Sequence, residues 1–154
     1  MVYRLERSTM IARSKPEVFG FFADARNLER ITPSTLHFHI LTPGPLVMQA
    51  GTLIDYELRL HGVPVRWRTL IEEFVPDTYF VDVQVSGPYK VWRHRHAFET
   101  TPLGTEMRDE VMYEMPFGLL GAAVHRLFVR AELDRIFDHR NESIRTFFGG
   151  AGIR

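Results

Sequence analysis

The sequence predicts an α+β fold in which one long C-terminal helix lies against a curved antiparallel sheet of about seven strands. In the middle of the chain, apolar and polar residues alternate with a period of two, in short segments separated by turn residues. From Phe117 to about Phe148 the apolar residues recur with a period of roughly 3.6, which is typical of an amphipathic helix. A sheet with one apolar face needs a covering layer, and this helix is the only predicted element long enough to provide it.

The composition is that of one globular domain, which we expect to span residues 1–150. The chain has 154 residues, of which 45% are hydrophobic and 25% charged, and we find no internal repeat. Lys plus Arg and Asp plus Glu both number 19, so no overall positive field favours binding to nucleic acid or to an anionic membrane. The absence of cysteine excludes disulfides, thiolate metal sites and a cysteine nucleophile.

The sequence also bears on localisation. The N-terminal residues lack the uninterrupted apolar core of a signal peptide, and no apolar run is long enough to span a bilayer. We therefore expect a cytoplasmic protein without membrane insertion.

A strand and two short helices are predicted at the N-terminus. Residues 2–12 have strand-like apolar residues. Ser14 is suited to cap a helix whose first turn contains Pro16 and whose apolar face is rich in phenylalanine. A second short helix is predicted over residues 25–31, and it ends at Thr32 because the residue before a proline disfavours helical geometry.

About six further strands follow, and they are predicted at residues 36–41, 52–60, 63–75, 79–85, 89–100 and 105–115. Turn residues such as His61-Gly62 and Pro76-Asp77 separate them, and strands so closely spaced form an antiparallel meander. The alternation places Tyr56 and Trp67 on the apolar faces of their strands.

On the long helix, a single apolar stripe is predicted to face the sheet. Its members are Leu120, Val124, Leu127, Ala131, Phe137, Ile144 and Phe148, and Phe128 is expected beside them. The arginine-rich opposite face is most simply a solvated surface, and alternatively a contact in a homodimer. Gly149 and Gly150 are expected to end the helix.

The segment "GPYKVWRHRHAF" contains two histidines separated by one residue. In a strand, Trp92, His94, His96 and Phe98 share one face. The opposite face has two arginines and a glutamate, which indicates solvent. Both histidines are therefore expected to point inward.

Neighbouring strands supply carboxylates that could form hydrogen bonds with these histidines. Asp109 and Tyr113 alternate with mostly charged residues and are expected to point inward. For Asp82 the pattern leaves two possibilities, because the valines on the opposite face of that strand could be the inward ones. A buried carboxylate is costly unless it is paired, so we expect a cluster of histidine and aspartate.

The order of elements, together with the segments "RNLERITP", "GPYKVWRHRHAF" and "MRDEVMYEMPFG", resembles the START and polyketide-cyclase-like (SRPBCC) superfamily, in particular its bacterial ligand-binding subgroup. The resemblance implies the helix-grip fold over essentially the whole chain. Members of the superfamily bind lipids, hormones or polyketides, and some catalyse cyclisation or dehydration.

These observations favour the binding of a small hydrophobic, partly oxygenated molecule, lipid-, polyketide- or aromatic-like, in a cavity between the sheet and the long helix. The candidate ligand-binding residues are Tyr56, Trp67, Asp82, Trp92, His94, His96, Phe98, Asp109, Tyr113, Val124 and Phe128. The alternative is a cyclase or dehydratase that uses pocket histidine and aspartate in acid–base catalysis, with His94, His96 and Asp109 as candidates.

Two further interpretations of the histidines remain. The His-x-His spacing could supply two metal ligands, but the ligand set lacks a clear third and fourth member, so we expect no metal and no cofactor. The histidines could also be core residues whose hydrogen bonds are made with neighbouring strands, in a protein whose cavity is filled by side chains.

Overall fold

The computed structural model describes residues 1–149, in which a seven-stranded sheet curves around the C-terminal helical segment. The elements are β1 (Val2–Ile11), α1 (Lys15–Phe22), α2 (Asn27–Ile31), a short 3-10 turn (Ser34–Leu36), β2 (His39–Ile40), β3 (Leu53–Leu60), β4 (Val63–Val75), β5 (Tyr79–Ser86), β6 (Val91–Thr101), β7 (Gly104–Glu114), α3 (Gly118–Val124), a π-helical turn (His125–Val129) and α4 (Arg130–Phe147). This architecture confirms the predicted helix-grip fold.

The sheet is antiparallel throughout, with the strand order β1-β7-β6-β5-β4-β3-β2. Strands β2 to β7 follow one another as a meander, and β1 closes on β7 along ten paired residues. Only glycine fits at Gly104, where β7 begins, because φ is +132° and a Cβ atom would lie 2.2 Å from the carbonyl oxygen of Ile11. The N-terminal strand is thereby held against the last strand of the meander.

The predicted strand at residues 36–41 is wrong in its first half. Residues 34–36 form a 3-10 turn, and His37 takes a left-handed conformation with φ of 46°. Only His39 and Ile40 pair with β3. The side chain of Glu29 accepts a hydrogen bond from the Ile40 backbone at 2.9 Å, so α2 is tied directly to this edge.

A core of aromatic and aliphatic side chains fills one end of the space between the sheet and the helices. Phe19, Phe21 and Phe22 of α1 pack there with Phe98 of β6 and Ile144 of α4, all of them buried. The Phe19 and Phe98 rings meet edge to face, with their centroids 5.3 Å apart. This end of the fold is therefore solid.

The predicted stripe on the C-terminal helix is wrong in its first half. Leu120 and Leu127 are 68% and 65% exposed, and Val124, Phe128 and Ala131 also face solvent. The inward residues are Gly121, His125, Leu133, Phe137, Arg140, Ile144 and Phe148.

On a straight helix Leu120 and Val124 do not share a face with Phe137 and Ile144, and the π-helical turn at His125–Val129 changes the phase of the helix between them. A π turn inserts one extra residue between successive turns, so the inward face after it no longer continues the 3.6-residue pattern before it. Gly121 faces inward, where a Cβ atom would lie 1.9 Å from the carbonyl oxygen of Pro116. Helix α4 ends at Phe147, and Gly149 follows two residues later in a left-handed conformation with φ of +71°, which fits the expected helix end, whereas Gly150 lies outside the described residues. Within residues 1–149, no helix is long and apolar enough to cross a membrane.

A matched pair of leucine truncations tests this burial pattern. Leu127→Ala removes an exposed side chain and should change the free energy of unfolding by less than about 0.5 kcal/mol. Leu133→Ala empties a buried position and should cost about 2–5 kcal/mol. Urea unfolding followed by circular dichroism measures both values. A larger loss for Leu127→Ala than for Leu133→Ala would contradict the described helix register.

Candidate functional site

A cavity of about 190 Å³ lies between the concave face of the sheet and the helices α2 and α4. Its wall is mostly apolar, and one section is aromatic, formed by Tyr56, Trp67, Tyr89 and Trp92. The ring centroids of Trp67 and Trp92 are 5.3 Å apart, in an edge-to-face arrangement. The polar residues Asp82, His94, His96 and Arg140 also line the cavity.

The structure brings six of the sequence-predicted residues to this wall, which are Tyr56, Trp67, Asp82, Trp92, His94 and His96. Both histidines are 5% exposed, which confirms that they point inward. The open question about Asp82 is resolved in favour of the cavity side.

The other predicted residues lie elsewhere. Phe98 belongs to the core around α1, and Asp109 is buried behind the histidines. The Tyr113 hydroxyl is 2.8 Å from His125 Nε2, in a second buried cluster. Val124 and Phe128 were expected in the pocket but are 39% and 55% exposed, on the outward face of the C-terminal helical segment.

Sequence reasoning missed Arg140, which is 6% exposed and lines the cavity. A signal for it exists in the sequence. Arg140 lies three residues after Phe137 and four before Ile144, so it occupies the apolar face of α4. Its guanidinium carbon lies 5.4 Å from the centroid of the Phe22 ring and 5.7 Å from that of Phe137.

The two histidine rings connect two carboxylates. His94 Nε2 lies 2.8 Å from Asp109 Oδ1, and His96 Nε2 lies 2.7 Å from Asp82 Oδ2. The ring centroids of the histidines are 3.7 Å apart. Strand pairing brings the four side chains together, because His94 is opposite Asp82 of β5 and His96 is opposite Asp109 of β7, and the two short hydrogen bonds run between the diagonal pairs. We call Asp82, His94, His96, Asp109 and Arg140 the polar cluster.

Arg140 joins the polar cluster from the helix side. Its guanidinium lies 3.4 Å from Asp109 Oδ1 and 3.3 Å from His96 Nδ1. Asp109 is 1% exposed and therefore depends on these partners for its charge. Burial would raise the pKa of Asp109, but Arg140 and the two histidines outweigh burial and hold that pKa well below its ordinary value.

The pKa values of the two histidines are shifted in opposite directions. Burial, reinforced by the neighbouring His96, lowers the pKa of His94 to about 4, so His94 is neutral near pH 7. Burial alone would also lower the pKa of His96, but hydrogen bonds with Asp109 and Asp82 outweigh it and raise that pKa. For Asp82, burial would raise the pKa, and the hydrogen bond with His96 leads the contributions that lower it.

These protonation states define what the polar cluster offers to a ligand. Ionised Asp109 is only an acceptor, so neutral His94 donates through Nε2 and keeps a lone pair on Nδ1. That Nδ1 atom is 3.8 Å from Asp82 Oδ2, which is too long for a hydrogen bond. The raised pKa of His96 favours its protonated form, in which two carboxylates balance one imidazolium and one guanidinium.

Asp82, His94 and His96 place one potential metal-ligand atom each within 4.8 Å of one another. The hydrogen bond between Asp82 Oδ2 and His96 Nε2 already engages two of these residues, and the Arg140 cation lies 3.3 Å from the same imidazole. A divalent cation would displace a proton and leave excess positive charge in a buried site.

The class of the protein follows from the fold and this site together. A curved antiparallel sheet that encloses a cavity beneath a C-terminal helix is a helix-grip domain. Residues 11–138 match the family model described as "Polyketide cyclase / dehydrase and lipid transport", and the chain belongs to this family. Among curated proteins, none matches the sequence.

Solved structures share the fold at low sequence identity. TTHA0849 from Thermus thermophilus superposes with a TM-score of 0.69 and 15% identity, over 96% of this chain and 99% of that chain. Major latex-like protein 151 from Panax ginseng gives a TM-score of 0.71 and 13% identity, over 96% and 98%. The Zhui aromatase/cyclase from Streptomyces gives a TM-score of 0.69 and 14% identity, over 99% and 100%. At these identities the likeness shows the fold alone.

The absence of a bound metal stays a prediction. We expect elemental analysis of the dialysed protein to find zinc, iron and nickel far below one equivalent, because the hydrogen bond between Asp82 and His96 and the adjacent Arg140 cation oppose a further cation. Stoichiometric metal that is lost in the Asp82→Asn variant would contradict this expectation.

The pKa of His94 predicts a specific acid sensitivity. Between about pH 6.5 and 4 the unfolded chain binds a proton at position 94 that the folded chain does not bind. The free energy of unfolding should therefore fall as pH falls through this window, by up to about 1.4 kcal/mol per pH unit. His96 acts in the opposite direction, since its raised pKa stabilises the fold below its unfolded pKa and loses effect as pH rises.

Urea unfolding at several pH values measures the slope. His94→Phe should flatten it between pH 6.5 and 4, whereas His139→Asn, which changes an exposed histidine of α4, should retain it. Identical slopes in the wild type and His94→Phe would show that His94 is not the group responsible.

Proposed function

We propose that this protein binds a small, mostly apolar molecule in the cavity, with one oxygenated group of that molecule placed against the polar cluster. The observation that supports this most directly is the composition of the cavity wall, where a continuous apolar and aromatic surface meets a few convergent polar groups. Such an arrangement is the usual form of a small-molecule site. Tyr56, Trp67, Asp82, Trp92, His94 and His96 would contact the ligand, and Asp109 would position the histidines.

The apolar wall and the polar cluster contribute different things. Burial of apolar ligand surface yields about 25 cal/mol per Å², and it would supply most of the affinity. A hydroxyl group suits the polar cluster, because it donates to an acceptor such as His94 Nδ1 and accepts from a donor such as Arg140. The polar cluster would therefore select the orientation of the ligand.

Acid–base catalysis is a second candidate, favoured by the opposite pKa shifts of His94 and His96. Two adjacent titratable groups whose pKa values are pushed apart can serve as base and acid. In a cyclisation with dehydration, His94 Nδ1 would act as the base and remove a proton from the carbon next to a carbonyl. His96, in its protonated form, would act as the acid and deliver a proton to the departing oxygen. The family description and the aromatase/cyclase among the structural relatives support this candidate.

Intrinsic fluorescence provides a direct test of binding, because the only two tryptophans of the chain, Trp67 and Trp92, both line the cavity. We expect octane and 2-octanol to change this fluorescence in a saturable way. His94→Phe should weaken 2-octanol binding by about 10- to 100-fold, since the hydroxyl loses its acceptor in a buried site. The same variant should bind octane equally well or better.

The control is His139→Asn, which should bind both probes as the wild type does, with thermal unfolding as a check of the fold. Equal losses for octane and 2-octanol in His94→Phe would mean that His94 supports packing and does not contact the ligand. No saturable response to either probe would overturn the proposed binding function.

Incubation with 2,7-octanedione distinguishes catalysis from binding. This diketone can form a carbon–carbon bond between C3 and C7 and lose one water, which leaves a cyclopentene bearing an acetyl and a methyl group. A catalyst that uses His94 should accelerate this conversion, and His94→Phe should abolish the acceleration. If the diketone cyclises no faster with the protein than without it and is recovered intact, the result favours a binding protein.

A further inference from the structure

The first turns of the C-terminal helical segment carry a set of large apolar side chains that residues 1–149 leave uncovered. Between 39% and 91% of each residue is exposed in this set, which we call the exposed apolar face and which consists of Phe117, Leu119, Leu120, Val124, Leu127 and Phe128. A phenylalanine alone presents about 150–250 Å² of surface, so the set exceeds the few hundred Å² of contiguous apolar surface usual for a monomer. Patches of this size mark interaction sites.

The exposed apolar face is held outward by the opposite side of the same helical turns. Leu120, Val124 and Leu127 follow one another at spacings of four and three residues, which places them on one side of the helix. On the inward side, Gly121 packs against the preceding turn, and the His125 ring lies 2.8 Å from the tyrosine hydroxyl of β7 with which it forms a hydrogen bond. The helix therefore cannot rotate to bury its outward side chains without losing these contacts.

The backbone at Phe117 is strained in a way that packing does not explain. Phe117 precedes α3 in a left-handed conformation, with φ of 65° and ψ of 29°. Bulky residues rarely take this conformation, and strain of this kind is typical of functional sites. The strain brings no burial in return, because Phe117 is 81% exposed. Its effect is to hold an apolar ring in solvent at the beginning of the helix.

The charged residues within this segment are positive. Residues 115–131 contain Arg126 and Arg130 and no aspartate or glutamate. Arg130 forms an ion pair with Asp134 at 3.2 Å, so the exposed Arg126 supplies the excess positive charge beside the apolar side chains. The whole chain has a formal net charge of zero, and this excess is therefore a local feature.

The charge distinguishes between two kinds of partner for the exposed apolar face, a second copy of the chain and a lipid surface. A symmetric dimer formed through this face would bring each Arg126 towards the same residue of the other copy, and opposed like charges disfavour such a contact. A surface of anionic phospholipids complements both features. Its acyl chains accept the apolar side chains, and its headgroups attract arginine.

We propose that the exposed apolar face docks this protein on an anionic phospholipid surface, with the first turns of the helical segment lying along that surface. Phe117, Leu119 and Leu127 enter the boundary between headgroups and acyl chains, and Arg126 stays with the phosphates. The docking is peripheral, since no helix within residues 1–149 is long and apolar enough to cross a membrane. It rests on surface residues alone and does not depend on the proposed ligand binding.

Co-sedimentation with vesicles tests the docking, using phosphatidylcholine alone and phosphatidylcholine mixed two to one with phosphatidylglycerol. The wild type should bind the mixed vesicles more tightly, and added salt should weaken that binding because it screens the headgroup charge. Phe117→Asn suits the left-handed backbone but removes the ring, and it should weaken binding to both vesicles by about tenfold or more. Leu127→Gln should have a similar effect, because it replaces an apolar side chain of the same face.

The charge and the position of the face are tested separately. Arg126→Gln should weaken binding to the mixed vesicles by about fivefold and leave binding to phosphatidylcholine unchanged. The matched control for Leu127→Gln is Leu103→Gln, because Leu103 is similarly exposed, at 63% against 65%, and precedes the opposite end of β7. Arg13→Gln, near that same end, is the control for charge. Both controls should bind vesicles as the wild type does, with thermal unfolding as a check of the fold.

Absence of vesicle binding by the wild type would overturn the proposal, and so would equal losses in Leu127→Gln and Leu103→Gln. A second copy as the true partner would appear in analytical ultracentrifugation as a dimer that Leu127→Gln abolishes, without vesicle binding, and this result would also overturn it. Octane binding without vesicles, followed by tryptophan fluorescence, should be unchanged in Phe117→Asn and Leu127→Gln. Failure of docking and failure of the proposed ligand binding are thus measured independently.

Discussion

The buried charge of Asp109 is the constraint on which the interior of this protein depends. The carboxylate is 1% exposed, and it is stabilised by His94 at 2.8 Å and by Arg140 at 3.4 Å. A buried carboxylate without such partners would cost several kcal/mol. Three elements, β6, β7 and α4, must therefore meet at this point, and their meeting sets how the long helix lies across the sheet.

The interior has a densely packed end and an open end, and Phe21 and Phe22 border both. On one side of the polar cluster, the phenylalanines of α1 fill the space between the sheet and α4. On the other side, large aromatic residues of β3, β4 and β6 stand at the wall of a cavity. Asp82, His94, His96 and Arg140 of the polar cluster line this same cavity. The cavity and the polar cluster thus belong to one arrangement, which is why we interpret them together as a ligand site.

The π-helical turn at His125–Val129 affects which residues of the C-terminal helical segment face the sheet. The chain must leave β7, turn at Phe117 and still present Leu133, Phe137 and Arg140 to the sheet. An extra residue in the helix resets its inward face after His125, whose ring stacks on Tyr3 at 3.5 Å. The first turns are anchored by Gly121 and His125, while the apolar side chains between them face solvent.

The period-two alternation in the sequence determined the sheet, the inward direction of His94 and His96, and the aromatic character of the wall. Those features follow from local geometry, because each residue of a strand takes the opposite face from its neighbour. The period of α4 places Arg140 on its apolar face, but the contacts of Arg140 with Asp109 and His96, the direction of Asp82 and the outward turn of Val124 and Phe128 were decided by tertiary structure. They depend on which strands pair and on one inserted residue in a helix, and no local pattern carries that information. The satisfaction of buried charge, which sums contributions from distant parts of the chain, settled each of the polar positions.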